Sequence, residues 1–540
     1  MIKFITRLLR CLRPLFSHSG IRFEQMLSIV SLKLTIDDRI EKNGKGGRNS
    51  SNTLLKQSLT MFFIGGLFFL GIYAFGSLST ALVVFHSYLS ITVITAFMAE
   101  YSNLLFSTTD NSIMERFPVD NRTLLSARII SMLSYLFLIT FSLSCLPFII
   151  LIFKEGIAVT LLFVLAVIIN TLFSLLLANL FYIGLVRFLP AEKFQKIIVY
   201  AQTILIVFMV AGYQFIGQFS KNTIDFFTSP SLWMYFVPSC YFTAFTELTQ
   251  TTRSYPLLFS GIGLGMTFLM LILTFKSFSK SYIQNASQID KVYAGKAIKR
   301  KEKTARFLAR ISCPDPIQQN GFMLTWRMTH DNLKFKQSVF PIVIYIIIFN
   351  FFPIKEILSN PDQPKLSALL MSLYMIPAVC IAVIMGLNYS QQGNLLPVYQ
   401  ALPLERPGNI LSGALKAVYF KYFLPIFLSL YLVYVILVGT SLIPDLLLSL
   451  SFSTLFIVIY YRFSNVVFPF SKEKSTRESG GMLIKMLGTM LLLILMGVCH
   501  HLLGLIPGGV LIAIPFCWLL IYFTARQIAS LSITKIESHY

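Results

Sequence analysis

The chain has 540 residues, 55% of them hydrophobic and only 13% charged, with a formal net charge of +22. A water-soluble protein of this length needs far more charged surface, so composition excludes an ordinary soluble enzyme or binding module. The basic residues gather beside apolar runs, where anionic headgroups attract each by about 1 kcal/mol, and they require no nucleic-acid partner.

Residues 1–57 form a basic, amphipathic N-terminal region. Arg7 and Arg10 stand beside apolar neighbours at helical spacing, which predicts an interfacial helix over 1–17. Residues 22–40, with Leu32-Lys33-Leu34-Thr35, read as a second such helix, and the Gly-, Asn- and Lys-rich stretch 41–52 reads as a flexible insertion. Six apolar spans follow at roughly 59–76, 81–105, 128–153, 157–186, 197–217 and 256–276, making a membrane repeat over 58–276. A tight turn is expected at Lys154-Glu155-Gly156. A basic linker, 277–337, carries Lys296, Lys299, Arg300, Lys301 and Lys303, then an amphipathic stretch over 317–335 with Trp326-Arg327-Met328-Thr329. Six further spans, roughly 338–353, 366–388, 416–438, 443–462, 483–503 and 507–525, make a second repeat over 338–526, ahead of a tail at 527–540. About 20 apolar residues cross a ~30 Å hydrocarbon core, and only helices satisfy their own backbone groups there. The expected fold is an all-α polytopic membrane protein of about twelve transmembrane helices.

Lys and Arg are dense in 1–57, in 277–337 and in the loops after spans 2, 4, 8 and 10, and sparse in the opposite loops. The positive-inside rule therefore puts both termini and the linker in the cytoplasm. Three pairs of strings recur between the halves. Lys56-Gln57-Ser58 matches Lys336-Gln337-Ser338, Glu100-Tyr101-Ser102 matches Asn388-Tyr389-Ser390, and Arg116-Phe117-Pro118-Val119-Asp120 matches Ala401-Leu402-Pro403-Leu404-Glu405, at offsets of 280 to 288 residues. Six spans per half is an even number, so the two halves enter the membrane in the same direction as a parallel six-plus-six repeat, an architecture of transporters.

Several chemistries lack their residues. There is no Gly-x-x-x-x-Gly-Lys-Ser/Thr to cradle nucleotide phosphates, no His-Glu-x-x-His and no Gly-x-Ser-x-Gly. The seven cysteines are scattered without a Cys-x-x-Cys pair, so neither disulfide framework nor structural zinc is expected. His500-His501 point to different sides of a helix and read as two interfacial histidines without a metal. Glu100, near the cytoplasmic end of span 2, is a candidate intramembrane polar contact with neutral Asn388 as its counterpart. Lys421 is expected to snorkel toward the inner face.

The duplicated proline corners carry the strongest signal. Proline fixes its own φ and disfavours helix at the residue before it, so each string makes a defined corner ahead of a new helix. Asp120 or Asn121 is expected to cap that helix in the first half, and Asn409 in the second.

The string from Met114 to Arg128 resembles the loop between the second and third spans of type-2 ABC exporter permeases, and the string from Leu402 to Lys416 fits the same pattern. Pro238-Ser239-Cys240-Tyr241 through Leu248 resembles the family's segment outside the membrane before the sixth span, although Ser239 and Tyr241 replace the Pro and Trp that members often carry. The amphipathic stretches before each half fit the family's interfacial connecting helices. The resemblance implies a permease subunit without its own ATPase, embedded in a bacterial-type cytoplasmic membrane and working as an exporter. It implies cytoplasmic ABC ATPase subunits in two copies as partners, with ATP and Mg on those partners and no cofactor on this chain. Pro118, Asp120, Arg122 and Arg128 would form one docking corner, and Pro403, Glu405, Arg406 and Lys416 the other. Two other classes stay open: an ion-coupled secondary transporter, and a non-transporting membrane assembly component.

Overall fold

A computed structural model describes residues 6–7, 9–10, 13, 22–39, 53–74, 77–106, 119–188, 197–208, 232–249, 254–285, 302–331, 333–359, 366–390, 395–401, 406–464, 467–473 and 479–532. Among them, ten helical segments are long and apolar enough to cross a bilayer: Leu54–Tyr73, Leu78–Ala99, Ser126–Lys154, Ile157–Leu185, Tyr255–Thr274, Val339–Ser359, Leu369–Leu387, Gly408–Val438, Thr440–Phe463 and Gly509–Ala529. Ten rather than twelve qualify. The fifth and eleventh expected spans appear as the shorter apolar helices Ile197–Phe208 and Gly488–Gly504, and residues 209–217 lie outside the described set. The chain is an all-α, multi-pass membrane protein. Large side chains such as Leu161 (64%), Phe268 (65%) and Ile436 (73%) stand exposed. Water would penalise such surface, whereas acyl chains do not.

The chain divides into two units, residues 1–41, 49–296 and 476–483 against residues 42–48, 297–475 and 484–540. In unit 1, α1 (Phe23–Arg39) precedes the spanning helices α2 (Thr53–Tyr73), α3 (Leu78–Phe106), α4 (Asn121–Lys154) and α5 (Ile157–Phe188). The apolar α6 (Ile197–Phe208), the short α7 (Pro238–Glu247) and α8 (Ser254–Asn285) follow. α2 lies against α4 so closely that a methyl at Gly65 would collide with the Leu143 carbonyl. The expected turn between α4 and α5 is present. Gly156 takes φ of +90°, which glycine adopts without steric cost, and the Tyr73 hydroxyl donates to Glu155 Oε1 at 2.6 Å.

Unit 2 begins with two short helices, α9 (Lys303–Ser312) and α10 (Pro316–Asp331), before α11 (Leu333–Ser359). The second span, expected as one helix over 366–388, is broken into α12 (Leu366–Leu373) and α13 (Pro377–Leu387). Pro377 has no N–H to continue the ladder, and the amides of Met375 and Ile376 tighten to the carbonyls three residues back. A two-residue parallel ladder pairs β1 (Tyr389–Ser390) with β2 (Lys472–Glu473). Then come α14 (Leu396–Ala401), α15 (Gly408–Val418), a π-helical turn at Tyr419–Phe423, α16 (Leu424–Val438), α17 (Ile443–Phe463), α18 (Ser479–Gly504) and α19 (Gly509–Ala529).

Candidate functional site

The described segments before and after residues 402–405 are each held in place by packing within unit 2. Before the corner, Tyr399 of α14 stacks on Phe468 with ring centroids 4.5 Å apart, and its hydroxyl donates to the Pro469 carbonyl at 3.1 Å. Phe470 is fully buried with φ of 59°, and its amide donates to the Leu387 carbonyl at 2.6 Å. A bulky residue adopts that backbone region only when packing enforces it. After the corner, α15 rests on α10. A side chain at Gly413 would collide with the Gln318 carbonyl, and one at Gly321 with the Ile410 backbone.

A polar network holds the same contact. Asn409 donates to Asp315, Gln318 Nε2 donates to Ser412 Oγ at 2.8 Å, and Lys416 Nζ donates to the Ser312 carbonyl at 2.5 Å and to Gln318 Oε1 at 3.1 Å. One turn on, Lys421 Nζ donates to the Trp326 carbonyl and to Thr329 Oγ1, both at 2.8 Å, and lies 5.2 Å from the Trp326 ring centroid. Lys421 thus reaches a helix of its own unit. Asn409, expected as a helix cap, lies inside the helix, and Pro407 holds the cap position. The side chain of Asn409 instead satisfies Asp315, whose other oxygen accepts the Ile317 amide at the start of α10. Beside this network the Cys313 thiol is buried. Burial pushes its pKa up, opposed by the Ser312 hydrogen bond and the Lys416 charge.

Of the expected docking residues, Arg406 is exposed and Lys416 is half-buried in the network, while Pro403 and Glu405 lie outside the described residues. In the first corner, Asp120 is exposed at the N-cap of α4 and makes no side-chain cap bond. Arg128, itself on α4, is half-buried. Pro118 and the Arg122 side chain lie outside the described residues. Here α1 packs on α4 through Phe23, Met26, Val30 and Leu34 against Ala127 and Ile130, and the Arg22 amide donates to Thr123 Oγ1 at 3.2 Å. Glu100 falls in α3, with its side chain outside the described set. Asn388 is half-buried where α13 passes into β1.

Three buried polar clusters were not legible in the sequence. In unit 1, Asn170 Nδ2 donates to the His86 carbonyl at 3.0 Å and lies 3.3 Å from His86 Nδ1, and Ser90 Oγ donates to Asn170 Oδ1 at 2.7 Å. In unit 2, Tyr434 and Ser372 both donate to Asn350 Oδ1, at 2.6 and 2.9 Å. The third lies at the end of unit 2 opposite the basic loops. The Tyr374 hydroxyl lies 2.6 Å from His500 Nδ1, and His500 Nε2 lies 3.2 Å from Asp445 Oδ1. His500 is therefore a buried, doubly engaged side chain while His501 is exposed, which replaces the expectation of two interfacial histidines. Tyr374 occupies the break between α12 and α13, and the signal within reach was Pro377 beside an otherwise unexplained tyrosine.

No protein-family model matches the chain, and no curated protein or solved structure matches it.

Proposed function

We propose that this chain is the permease subunit of an ATP-driven ABC transporter, working as an exporter in a bacterial-type cytoplasmic membrane and powered by two copies of a separate ATP-binding subunit. The observation that carries this reading is a shared arrangement in the two units. In each, an amphipathic helix ahead of the first span packs against the opening turns of the helix that follows the proline corner: α1 on α4, and α10 on α15. Such a corner is braced from within its own unit, so a push on it is transmitted to a spanning helix rather than absorbed by a loose loop. Asp120 and Arg406 are exposed at the two corners and suit contact with a partner. Lys416 suits the bracing, and Pro118, Arg122, Pro403, Glu405 and Arg128 complete the proposed docking corners. ATP and Mg reside on the partner.

The test is co-purification from native membranes in mild detergent, with and without Arg122→Glu and Arg406→Glu. Arg406→Glu changes stability by less than about 0.5 kcal/mol, as expected of an exposed site. Recovery of a P-loop ATPase with the native chain, and its loss in the variants, supports the reading. A chain that purifies alone at full yield overturns it.

A second reading, an ion-coupled carrier, draws on the Tyr374–His500–Asp445 chain, since buried hydrogen-bonded histidine and carboxylate pairs serve proton pathways. It predicts transport that survives ATP depletion and collapses with the ion gradient.

A further inference from the structure

Helix α9 presents three different sides. Ala305 and Ala309 are buried, and Ala309 and Cys313 pack with Phe322 of α10. Phe307 and Ile311, one turn apart, stand 63% and 68% exposed. Lys303, Arg306 and Arg310 are exposed as well, and the ten-residue helix holds no acidic residue. Successive helical residues are about 100° apart, which puts Phe307 and Ile311 on one flank with Lys303 and Arg310 directly beside it. The acid next to the helix, Glu302, is taken by Arg327 of α10 at 2.8 Å, an ion pair that holds the Arg327 pKa up.

Its depth follows from the unit's own geometry. The apolar segment Gly408–Val438 is 31 residues long, whereas about 20 cross the hydrocarbon. Counting about 20 residues back from Val438 reaches the π-helical turn at Tyr419–Phe423. Lys416, one turn further out, donates to the carbonyl of Ser312, the last residue of α9. The C-terminal end of α9 is thereby at headgroup depth, on the side rich in lysine and arginine.

We propose that α9 is a binding surface for anionic phospholipid: Phe307 and Ile311 enter the acyl region, and Lys303, Arg306 and Arg310 hold headgroup phosphates. Charge complementarity selects this occupant. Three cations border an apolar flank with no free acid beside them among the described residues, the pattern of helices that lie in a charged interface. Small alanines on the opposite side let α9 sit flat on α10. This assignment stands whether or not an ATPase docks at the proline corners.

The test places the full-length chain in nanodiscs and adds Phe307→Trp to the three natural tryptophans, with the unsubstituted chain as background. The probe is acyl-brominated phospholipid at a minor fraction, either phosphatidylglycerol or phosphatidylcholine, with iodide as the aqueous quencher. The expected result is strong lipid quenching of the added tryptophan, weak iodide quenching, and a preference for brominated phosphatidylglycerol. Lys303→Gln, Arg306→Gln and Arg310→Gln each lower that preference, by about fivefold per residue at the surface. Quenching by iodide, or by neither agent as under a protein partner, overturns the proposal. Equal quenching by both lipids overturns its charge recognition. Should the tryptophan variant fail to fold, the charge variants are made on the otherwise unsubstituted chain, since they carry no change in the core. The ratio of phosphatidylglycerol to phosphatidylcholine retained after purification from a mixed bilayer is then read instead. A lower ratio than in the unsubstituted chain supports the proposal, and an unchanged ratio overturns it.

Discussion

The two units solve the same packing problem with different chemistry. In unit 1, α1 lies on α4 through apolar side chains centred on Met26, Val30 and Ala127, with the Arg22 amide donating to Thr123. In unit 2, α10 lies on α15 through glycine-permitted backbone approach and the side-chain network of Asn409, Gln318, Lys416 and Lys421. The ends opposite the basic loops differ too. Unit 1 inserts α7, whose residues from Ser239 to Glu247 are all buried, and Ser79 Oγ donates to the Glu247 carboxylate at 2.5 Å. Unit 2 turns from α18 to α19 within a few residues, with Gly508 at φ of 73°, and closes that end with Tyr374, His500 and Asp445 instead. In both units an amphipathic helix meets a spanning helix, and each meeting is held by different chemistry. Apolar contacts tolerate small shifts, whereas a directional network fixes one register.

The largest expected effect is steric. Gly413→Leu in unit 2 and Gly65→Leu in unit 1 each force a side chain into backbone, costing about 3 kcal/mol by overpacking. Thermal unfolding in detergent reads both. Separate transitions, each lowered by only one variant, sharpen the comparison, and a single transition lowered by both breaks it. Next, Tyr374→Phe strips His500 Nδ1 of its partner and costs about 2 kcal/mol, while Asp445 keeps its bond to Nε2. A double-mutant cycle with Asp445→Asn should show coupling, and additive losses would deny that the three act as one chain. Smaller still, Lys416→Met removes two hydrogen bonds from the α10–α15 contact and costs about 1.5 kcal/mol, against about 1 kcal/mol for Thr123→Val in unit 1. Equal losses would erase the distinction between a networked and an apolar contact. The smallest effect is on reactivity. Only the thiolate alkylates, and burial holds the Cys313 pKa up, so labelling rises only at high pH. The Lys416 charge lowers that pKa, so Lys416→Gln shifts the labelling profile to still higher pH. A profile that moves down would contradict the geometry.

The helices that cross the membrane were legible because hydropathy is local. The runs expected at 128–153, 157–186 and 443–462 appear as Ser126–Lys154, Ile157–Leu185 and Thr440–Phe463. The amphipathic stretches expected at 22–40 and 317–335 appear as Phe23–Arg39 and Pro316–Asp331 for the same reason, since helical periodicity needs only near neighbours. Of the proline strings, Pro118, Pro403 and Glu405 lie outside the described residues, and Asp120 and Arg406 are exposed. The role of Asn409 was misjudged, because an asparagine after a proline reads as a cap whether or not an acid such as Asp315 waits on another helix. Tyr374 and His500 are 126 positions apart, and His500 and Asp445 are 55 apart, so no local pattern joins them. The sequence alone determined what each segment is, through its affinity for lipid or water over a few helical turns. Tertiary structure alone decided which polar side chains meet, because inside an apolar medium an unpaired polar group is costly and finds its partner on whichever helix packing brings alongside.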